Sequence, residues 1–549
     1  MIGFSSADAM PNKIAKLPVE ESVVFTIEGQ IDAHFSQWSD QKWANNLDWD
    51  KLRNIYESHH FAPIWLDKYG IASDKAKLLR DTVIDAFEDG LDPDEYHSRA
   101  IRYMWNARRV ITMARLDLLI TDAFLRYVRE VKAGYFSPRS VDFDWKVPGR
   151  RVDLLDELAK YLATDNPEQY LADLIPQHKE YLALKTALAK YRKIASQGGW
   201  KKIDAGPTLN PGDQDVRVDT LRFRLVAEGY LPKSNLLQGI SNVFDNTLEE
   251  AVLHFQKTNG LEPDGLVGGA TLRRLNISVG DRITTIKKNM ERWRWMPDNL
   301  GKRYVMVNTA AYELKLVEDS KPVLDMPVVV GETDSATPTF IDNLEYLEVN
   351  PVWNVPPKIA RDTFLPKLLE DPNFIKTNRL KIYDGWKKTA KEVDPDTIHW
   401  DKYANHRWLP FKFEQEPGKL NSLGLIKFIF PNRYRIYLHG TPEKELFNYT
   451  VRTFSHGCVR LSDPYSLAKK LLESEDDWNK DQFQSIVASG KTQRFNLKTK
   501  WPVYLMYWTA WVDDNGFVNF RKDVYQRNRL IAAGPEPDYQ KVILAQNIF

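Results

Sequence analysis

From residue 24 to about residue 205, apolar positions recur at three- and four-residue spacing, which predicts helices with one buried face. Ser73 predicts an N-cap for a helix whose apolar positions are Ala76, Leu79, Val83 and Ala86, with Gly90 as its stop. A longer pattern runs through Leu116, Leu119, Ala123, Tyr127 and Val131 and stops at Gly134. Another runs through Leu184, Leu188, Tyr191 and Ala195 and ends near Gly198-Gly199. None of these carries a clustered acid, base or thiol, so the region reads as scaffold. The break from Gly206-Pro207 to Pro211-Gly212 predicts a linker. Residues 214–276 then hold three short stripes. The first is Val218, Leu221 and Leu225 before Gly229, the second Leu248, Ala251, Val252 and Phe255, and the third Thr271, Leu272 and Leu275. Turn signals at Asn259-Gly260 and Asp264-Gly265 complete a three-helix module.

A helix over 281–297 leads out of the module and ends in Trp293-Arg294-Trp295-Met296-Pro297. From Tyr304 the period falls to two, through Val305, Val307, Tyr312, Leu314 and Leu316, which predicts strands. Val328-Val329-Val330 precedes Gly331. Leu425–Phe430 and Tyr434–Leu438 flank Pro431-Asn432-Arg433 and predict a hairpin. Between Trp353 and about Lys419 the strand pattern gives way to Pro356-Pro357, a helix near Arg361–Leu369, and segments with Trp386, Trp400 and Trp408. An irregular stretch this long inside a compact domain is a functional lid or a disordered insert. Its aromatics argue against disorder, so the expectation is a folded lid whose mobility limits access to a site.

Composition narrows the function. A chain of 549 residues suggests three or four domains, and 43% hydrophobic with 28% charged residues builds ordinary cores. The 17 Trp and 24 Tyr fill cores or line sugar and peptide grooves, and composition does not separate the two. Lys+Arg 76 against Asp+Glu 75 leaves a formal charge of +1. This balance gives no footprint for nucleic acid and no polybasic tract for a membrane surface. No run approaches the ~18 apolar residues of a membrane helix. The N-terminus holds no intact signal peptide, although Ala7-Asp8-Ala9 fits a small-x-small cleavage site, as in the tail of a truncated export signal. With one cysteine, Cys458, no intramolecular disulfide forms, and the disulfide argument for compartment is silent.

A lone cysteine is by default an inert buried thiol, but the neighbours of Cys458 change that reading. The chain reads Tyr437-Leu438-His439-Gly440 and then, after fifteen residues (440–454), Ser455-His456-Gly457-Cys458-Val459-Arg460. A strand ending at His439 can project its imidazole beside a loop carrying Cys458, and the ring can take the thiol proton. Gly457 allows a tight turn that aims backbone N–H groups at one point, an oxyanion hole. A helix starts after Ser462 or Asp463, with Pro464 at its first position and Leu467, Leu471 and Leu472 as its apolar stripe. Its dipole contributes ~0.5–1 kcal/mol to an ionised sulfur. An oxyanion donor contributes about 3 kcal/mol, so hole and base dominate. The pairing predicts a depressed thiol pKa. A metal site from Cys458, His456 and His439 fits zinc spacings poorly, and neither metal nor cofactor is expected.

The pattern His-x(15)-Ser-His-Gly-Cys resembles the signature of the L,D-transpeptidase family with its YkuD-type catalytic domain, over about Tyr304 to Tyr507. The module resembles a peptidoglycan-binding domain through Leu225, Gly229-Tyr230-Leu231, Phe244-Asp245, Ala251-Val252, Phe255-Gln256, Gly260-Leu261, Asp264-Gly265, Gly268, Thr271 and Leu275-Asn276. Such modules bind glycan or serve as spacers. With its helical front end, the chain is similar to the large, scaffolded, YcbB-like branch.

The resemblance implies a multidomain α+β chain: an N-terminal tail (1–23), a helical scaffold domain (24–210), the peptidoglycan-binding domain (214–276) and a linker helix (281–303). The β-rich catalytic domain (304–510) follows, with a capping subdomain (356–418) inserted, and then a C-terminal extension (511–549). It implies Cys458 as nucleophile, His439 as general base, Gly440 as the carbonyl that orients the base, and the backbone N–H groups of His456, Gly457 and Cys458 as oxyanion hole. Tyr437, Ser455, Arg460 and Trp353 are the substrate-binding candidates. Tyr437 bonds substrate or merely packs, Arg460 grips a carboxylate or makes a surface ion pair, and His456 carries protons or serves the loop. The implied reaction joins stem peptides of peptidoglycan in 3→3 cross-links through a thioester with loss of D-Ala, in the periplasm or cell envelope, with the cysteine open to carbapenems. Partners are peptidoglycan peptides and glycan, with other wall enzymes as candidates. A cysteine amidase or carboxypeptidase, and a wall-binding scaffold with a retired site, remain as alternatives.

Overall fold

The longest helical pattern becomes a helix over Val110–Ala133 that buries Leu116, Leu119, Ala123, Phe124 and Val128 and ends at Gly134. The structure, a computed structural model, describes residues 19–35, 46–234, 242–475 and 478–531; the Ala7-Asp8-Ala9 site lies outside them. Helices Val19–Phe35, Asp74–Ile84 and Leu154–Ala163 pack on this central one. Ser73 caps the second of these, its hydroxyl accepting the Ala76 N–H at 3.2 Å, and a 3₁₀ turn carries the chain on to Gly90 at φ +77°. The buried polar centre is Asp117, which accepts the N–H groups of Ile64 and Trp65 and the hydroxyl of Tyr56.

The three short stripes form helices Arg217–Glu228, Asn246–Thr258 and Gly269–Leu275 around Val218, Leu221, Leu225, Leu248, Val252, Phe255 and Leu275. Asp245 caps the second through the Leu248 N–H at 2.9 Å. Helix Val279–Arg294 follows and packs on helix Lys179–Ser196. Its Met290 and Trp293 join Met506 and Trp508 in one core, with the two indoles stacked at 4.5 Å. Helical and sheet parts are thus welded by aromatic packing.

Strands β1 (Arg303–Asn308), β2 (Glu313–Glu318), β3 (Lys321–Gly331) and β4 (Phe340–Val349) open the β-rich domain. Strands β5 (Trp353–Asn354), β6 (Leu380–Tyr383) and β7 (Lys412–Gln415) form a separate small sheet, ordered β5-β7-β6. The main sheet resumes with β8 (Ile426–Ile429), β9 (Leu438–His439), β10 (Thr453–Ser455), β11 (Val459–Leu461) and β12 (Gln493–Met506). Its order is β10-β3-β11-β9-β8-β4-β12-β1-β2, and β2 also pairs with β3, so the sheet returns on itself. A hairpin of β13 (Ala510–Val512) and β14 (Val518–Phe520) ends the regular structure.

The small sheet, with a helical run over residues 357–370, has its own core of Val355, Phe364, Leu365, Leu368, Ile382 and Phe413. The insert is therefore a folded subdomain, and the chain is a multidomain α+β protein. One expectation needs correction. Leu425–Phe430 and Tyr434–Leu438 do form a hairpin, but its second strand is only Leu438–His439. The side chain of Asn432 replaces the ladder between them, donating to the carbonyls of Phe430 and Ile436 and accepting from the N–H groups of Tyr434 and Ile436. Arg435 takes φ +58° in that loop.

Candidate active site

Strand alternation builds the site. Parallel β9 and β11 align Leu438 with Val459 and His439 with Arg460, while antiparallel β8 aligns Phe428 with Leu438 and Lys427 with His439. One face therefore sends Leu438, Val459, Leu461 and Phe428 into the core, all fully buried. The other presents Tyr437, His439, Cys458, Arg460 and Lys427 to a cleft of about 1070 Å³. By this register Cys458 stands beside Tyr437 and diagonal to His439 on the adjacent strand.

His439 Nδ1 lies 2.6 Å from the carbonyl oxygen of Gly440. A carbonyl only accepts, so Nδ1 carries the proton and Nε2 keeps a free lone pair. Burial of the ring, reinforced by the positive charge of Arg460 and of Lys427 and opposed by the Gly440 bond, lowers its pKa to about 3. The imidazole is a neutral base at physiological pH. Gly440 sits where a side chain would press on Pro464, 3.2 Å away.

The expected low thiol pKa is corrected. Burial pushes the Cys458 thiol above its ordinary value, against the backbone N–H of Tyr437 and the charges of Lys427 and Arg460, which pull it down. The sulfur lies 3.7 Å from the carbonyl of Arg435, to which the S–H points. Thiol and imidazole are thus each neutral at rest, and the thiol is hydrogen-bonded to the Arg435 carbonyl, not to His439.

The nucleophile loop is stapled from within. The Ser455 hydroxyl donates to the Cys458 carbonyl at 2.5 Å and accepts the Gly457 N–H at 3.1 Å. Ser455, expected to bind substrate, is buried and serves this turn. The Gly457 N–H, expected in the oxyanion hole, is already spent on Ser455. Among the described residues no hydrogen bond engages the N–H of His456 or Cys458. Gly457 takes φ +114°, and Gly331 approaches it so closely that a Cβ on Gly331 would lie 3.0 Å from the Gly457 Cα. Thr337 ties the two, accepting the Gly331 N–H at 3.0 Å and donating to the Gly457 carbonyl at 2.8 Å. Asp463 caps helix Pro464–Leu472 through the Ser466 N–H at 3.0 Å.

The remaining candidates line the cleft. Trp353 packs edge-on to Phe364 at 5.8 Å at the root of the capping subdomain. Tyr437 lies under the Lys427 ammonium, 4.1 Å from the ring centroid. Arg460, expected to grip a carboxylate or to make a surface ion pair, is ion-paired with Glu443. The His456 ring is exposed on the cleft wall. Lys427 was missed: within Leu425–Phe430 it reads as the solvated position of an alternating strand. Thr337 was missed because no motif marks it. Among the described residues no group of His, Cys, Asp or Glu is placed to hold a metal ion.

Residues 302–476 match an L,D-transpeptidase catalytic domain of the YkuD type, residues 214–275 a "Putative peptidoglycan binding domain", and residues 50–188 a scaffold domain. A Haemophilus influenzae protein described as "Putative L,D-transpeptidase" is 35% identical over 243 residues, 44% of this chain and 48% of the relative. The chain thus spans about half the length of the curated relative it matches. A solved L,D-transpeptidase from Xylanimonas cellulosilytica is 18% identical, with a TM-score of 0.17 over 55% of this chain and 98% of that one. Matches to a scaffold domain, a peptidoglycan-binding domain and a YkuD-type catalytic domain thus follow one another along the chain, and over residues 302–476 it is similar to the catalytic domain of the L,D-transpeptidases.

Proposed function

We propose that this protein cross-links peptidoglycan by cysteine acyl transfer. One observation carries the reading: a thiol and a neutral imidazole with its Nε2 unprotonated sit as diagonal neighbours on one face of a large cleft. The L,D-transpeptidase domain match supports the same reaction class.

In this reading Cys458 attacks the carbonyl of the third residue of a tetrapeptide stem, a diamino acid. His439 Nε2 takes the thiol proton as the S–C bond forms. The N–H groups of His456 and Cys458 hold the oxyanion. The C–N bond to D-Ala then breaks, and His439 returns the proton to the leaving amine. An amine on the third residue of a second stem attacks the thioester, giving the 3→3 link and restoring the thiol. Because the resting pair is neutral, proton transfer accompanies attack instead of preceding it. Residues 24–210, 214–276 and 304–510, with 356–418 as cap, act as scaffold, wall-binding module and catalyst. Residues 1–23, 281–303 and 511–549 are tail, linker helix and extension. The site of action is the cell envelope, with other wall enzymes as suppliers of the tetrapeptide.

The test is intact mass after incubation with a carbapenem. A single covalent adduct on the parent, absent from Cys458→Ala, is expected; an unmodified parent, or an equal adduct on the variant, would contradict the assignment of the nucleophile. Hydrolysis by the same thiol, as in an amidase or carboxypeptidase, differs in the acceptor and would release monomers without dimers.

A further inference from the structure

We infer that Lys427 is the receptor for a carboxylate of the donor stem peptide. The inference rests on the proposed reading and deepens it.

Lys427 stands opposite His439 in the β8–β9 ladder and points into the same cleft. Its backbone lies two strand spacings, roughly 10 Å, from that of Cys458. A lysine side chain spans about half of that, so a group held by its ammonium lies within one residue of a carbonyl attacked by the sulfur. The ammonium rests over the Tyr437 ring at 4.1 Å, half-buried, and among the described residues it has neither a hydrogen bond nor an ion pair. Glu348 faces it from β4 in register and its charge acts on the ammonium, but among the described residues the two form no ion pair. Lys358, Lys367 and Arg435 also line the cleft, from the capping subdomain and the loop before β9, but none of them stands opposite His439 in the sheet as Lys427 does. Arg460 is taken by Glu443 and Asp144 by Arg527. The Lys146 ammonium bonds the Phe143 carbonyl.

A half-buried cation that feels Glu348 only through its field, with no ion pair or hydrogen bond among the described residues, has room for an anion from the ligand. The proposed donor offers two carboxylates near the scissile bond: the chain terminus of the leaving residue and a carboxylate on the side chain of the diamino acid. Both have the same chemistry, and Lys427 meets whichever lies on its side of the sulfur. The stacked Tyr437 ring keeps the ammonium low on the cleft floor. Burial meanwhile makes the ammonium easier to deprotonate than an ordinary lysine, against the field of Glu348 and of an ionised Cys458. A bound carboxylate would restore its full charge.

The experiment measures binding of three tetrapeptides to the full chain carrying Cys458→Ala, by calorimetry. One tetrapeptide has both carboxylates free, one is amidated at its terminus, and one is amidated on the diamino acid side chain. Amidation of the recognised carboxylate is expected to weaken binding about ten- to hundredfold, and the position that matters identifies the group. The same amidation should have no effect once Lys427→Met is added, while Lys427→Arg should retain most of the discrimination. Equal discrimination with and without Lys427→Met would overturn the inference and leave the proposed function standing. No binding of any tetrapeptide by the Cys458→Ala chain would overturn the proposed function and the inference with it.

Discussion

The imidazole of His439 donates through Nδ1 to the carbonyl of its own neighbour Gly440, across 2.6 Å, and this bond decides which nitrogen can act as a base. It turns Nε2 outward onto the face that carries Cys458. Burial and the nearby cations then hold the ring neutral, with a pKa of about 3.

A neutral pair has a measurable signature. The thiol of Cys458, pushed up by burial, should be alkylated with a pH dependence whose midpoint lies above the ordinary value of about 8.5. The acylation rate should show no inflection near pH 6.5, the usual histidine value, because His439 titrates far below it. Alkylation kinetics between pH 5 and 10 test this, and a thiol midpoint under 7 would indicate a preformed thiolate–imidazolium pair instead.

Thr337 holds the nucleophile loop against β3. Thr337→Val keeps the shape but leaves the Gly331 N–H and the Gly457 carbonyl without their buried partner. A destabilisation of about 1–3 kcal/mol is expected, measured by denaturant unfolding. The acylation rate should fall ten- to hundredfold as Gly457 drifts. An unchanged rate would show that the loop holds itself through Ser455 alone.

Arg527 joins three parts of the chain, donating to the Thr337 carbonyl and to Asp144 at 2.9 Å and lying 3.7 Å from buried Asp142. Arg527→Met strands Asp142 and should cost about 3–5 kcal/mol. Burial already holds the Asp142 carboxyl above the usual carboxylate range, with Arg527 and Arg292 pulling it back. Without Arg527 its folded pKa rises further, and the folded variant binds a proton that the unfolded chain releases. Stability of the variant should therefore fall as pH rises through that folded value and recover on acidification. Thermal unfolding of parent and variant at several pH values checks the sign; a difference that does not change with pH would exclude a stranded carboxylate.

Gly331→Ala places a Cβ at 2.1 Å from the Ser335 carbonyl oxygen and 3.0 Å from the Gly457 Cα. Backbone must shift, at a cost of about 1–3 kcal/mol, and the tightest approach is to the turn at Ser335–Thr337, which Thr337 ties to the Gly457 carbonyl beside Cys458. Acylation should fall more steeply than stability. Equal activity in the variant would mean that the Gly331–Gly457 contact has no part in catalysis.

Much of this was legible from residue patterns because it rests on local rules. Ser73 and Asp463 cap helices by side chains within three residues of the N–H they bind. Gly90 and Gly134 end helices where the pattern stops. Alternation around Leu438 and Val459 assigns His439 and Cys458 to one face once the strands pair in register. Other features depend on contacts distant in sequence or on competition for one atom. Thr337 reaches Gly457 across 120 positions and Arg527 reaches Thr337 across 190, and neither lies in a motif. The Gly457 N–H was open to the substrate in the sequence but is claimed by Ser455 in the fold. The thiol pKa was misjudged because motif spacing shows the base but not the burial, and burial is the larger effect. Arg460 was free to bind substrate in the sequence until the fold supplied Glu443.

The most direct test of acyl transfer between stems is product analysis by chromatography and mass spectrometry, with purified disaccharide-tetrapeptide as donor and acceptor. The parent should release D-Ala in step with dimers linked between third residues, and Cys458→Ala and His439→Ala should form none. Dimers formed at the parent rate by Cys458→Ala, or release of D-Ala by the parent without any dimer, would contradict the account.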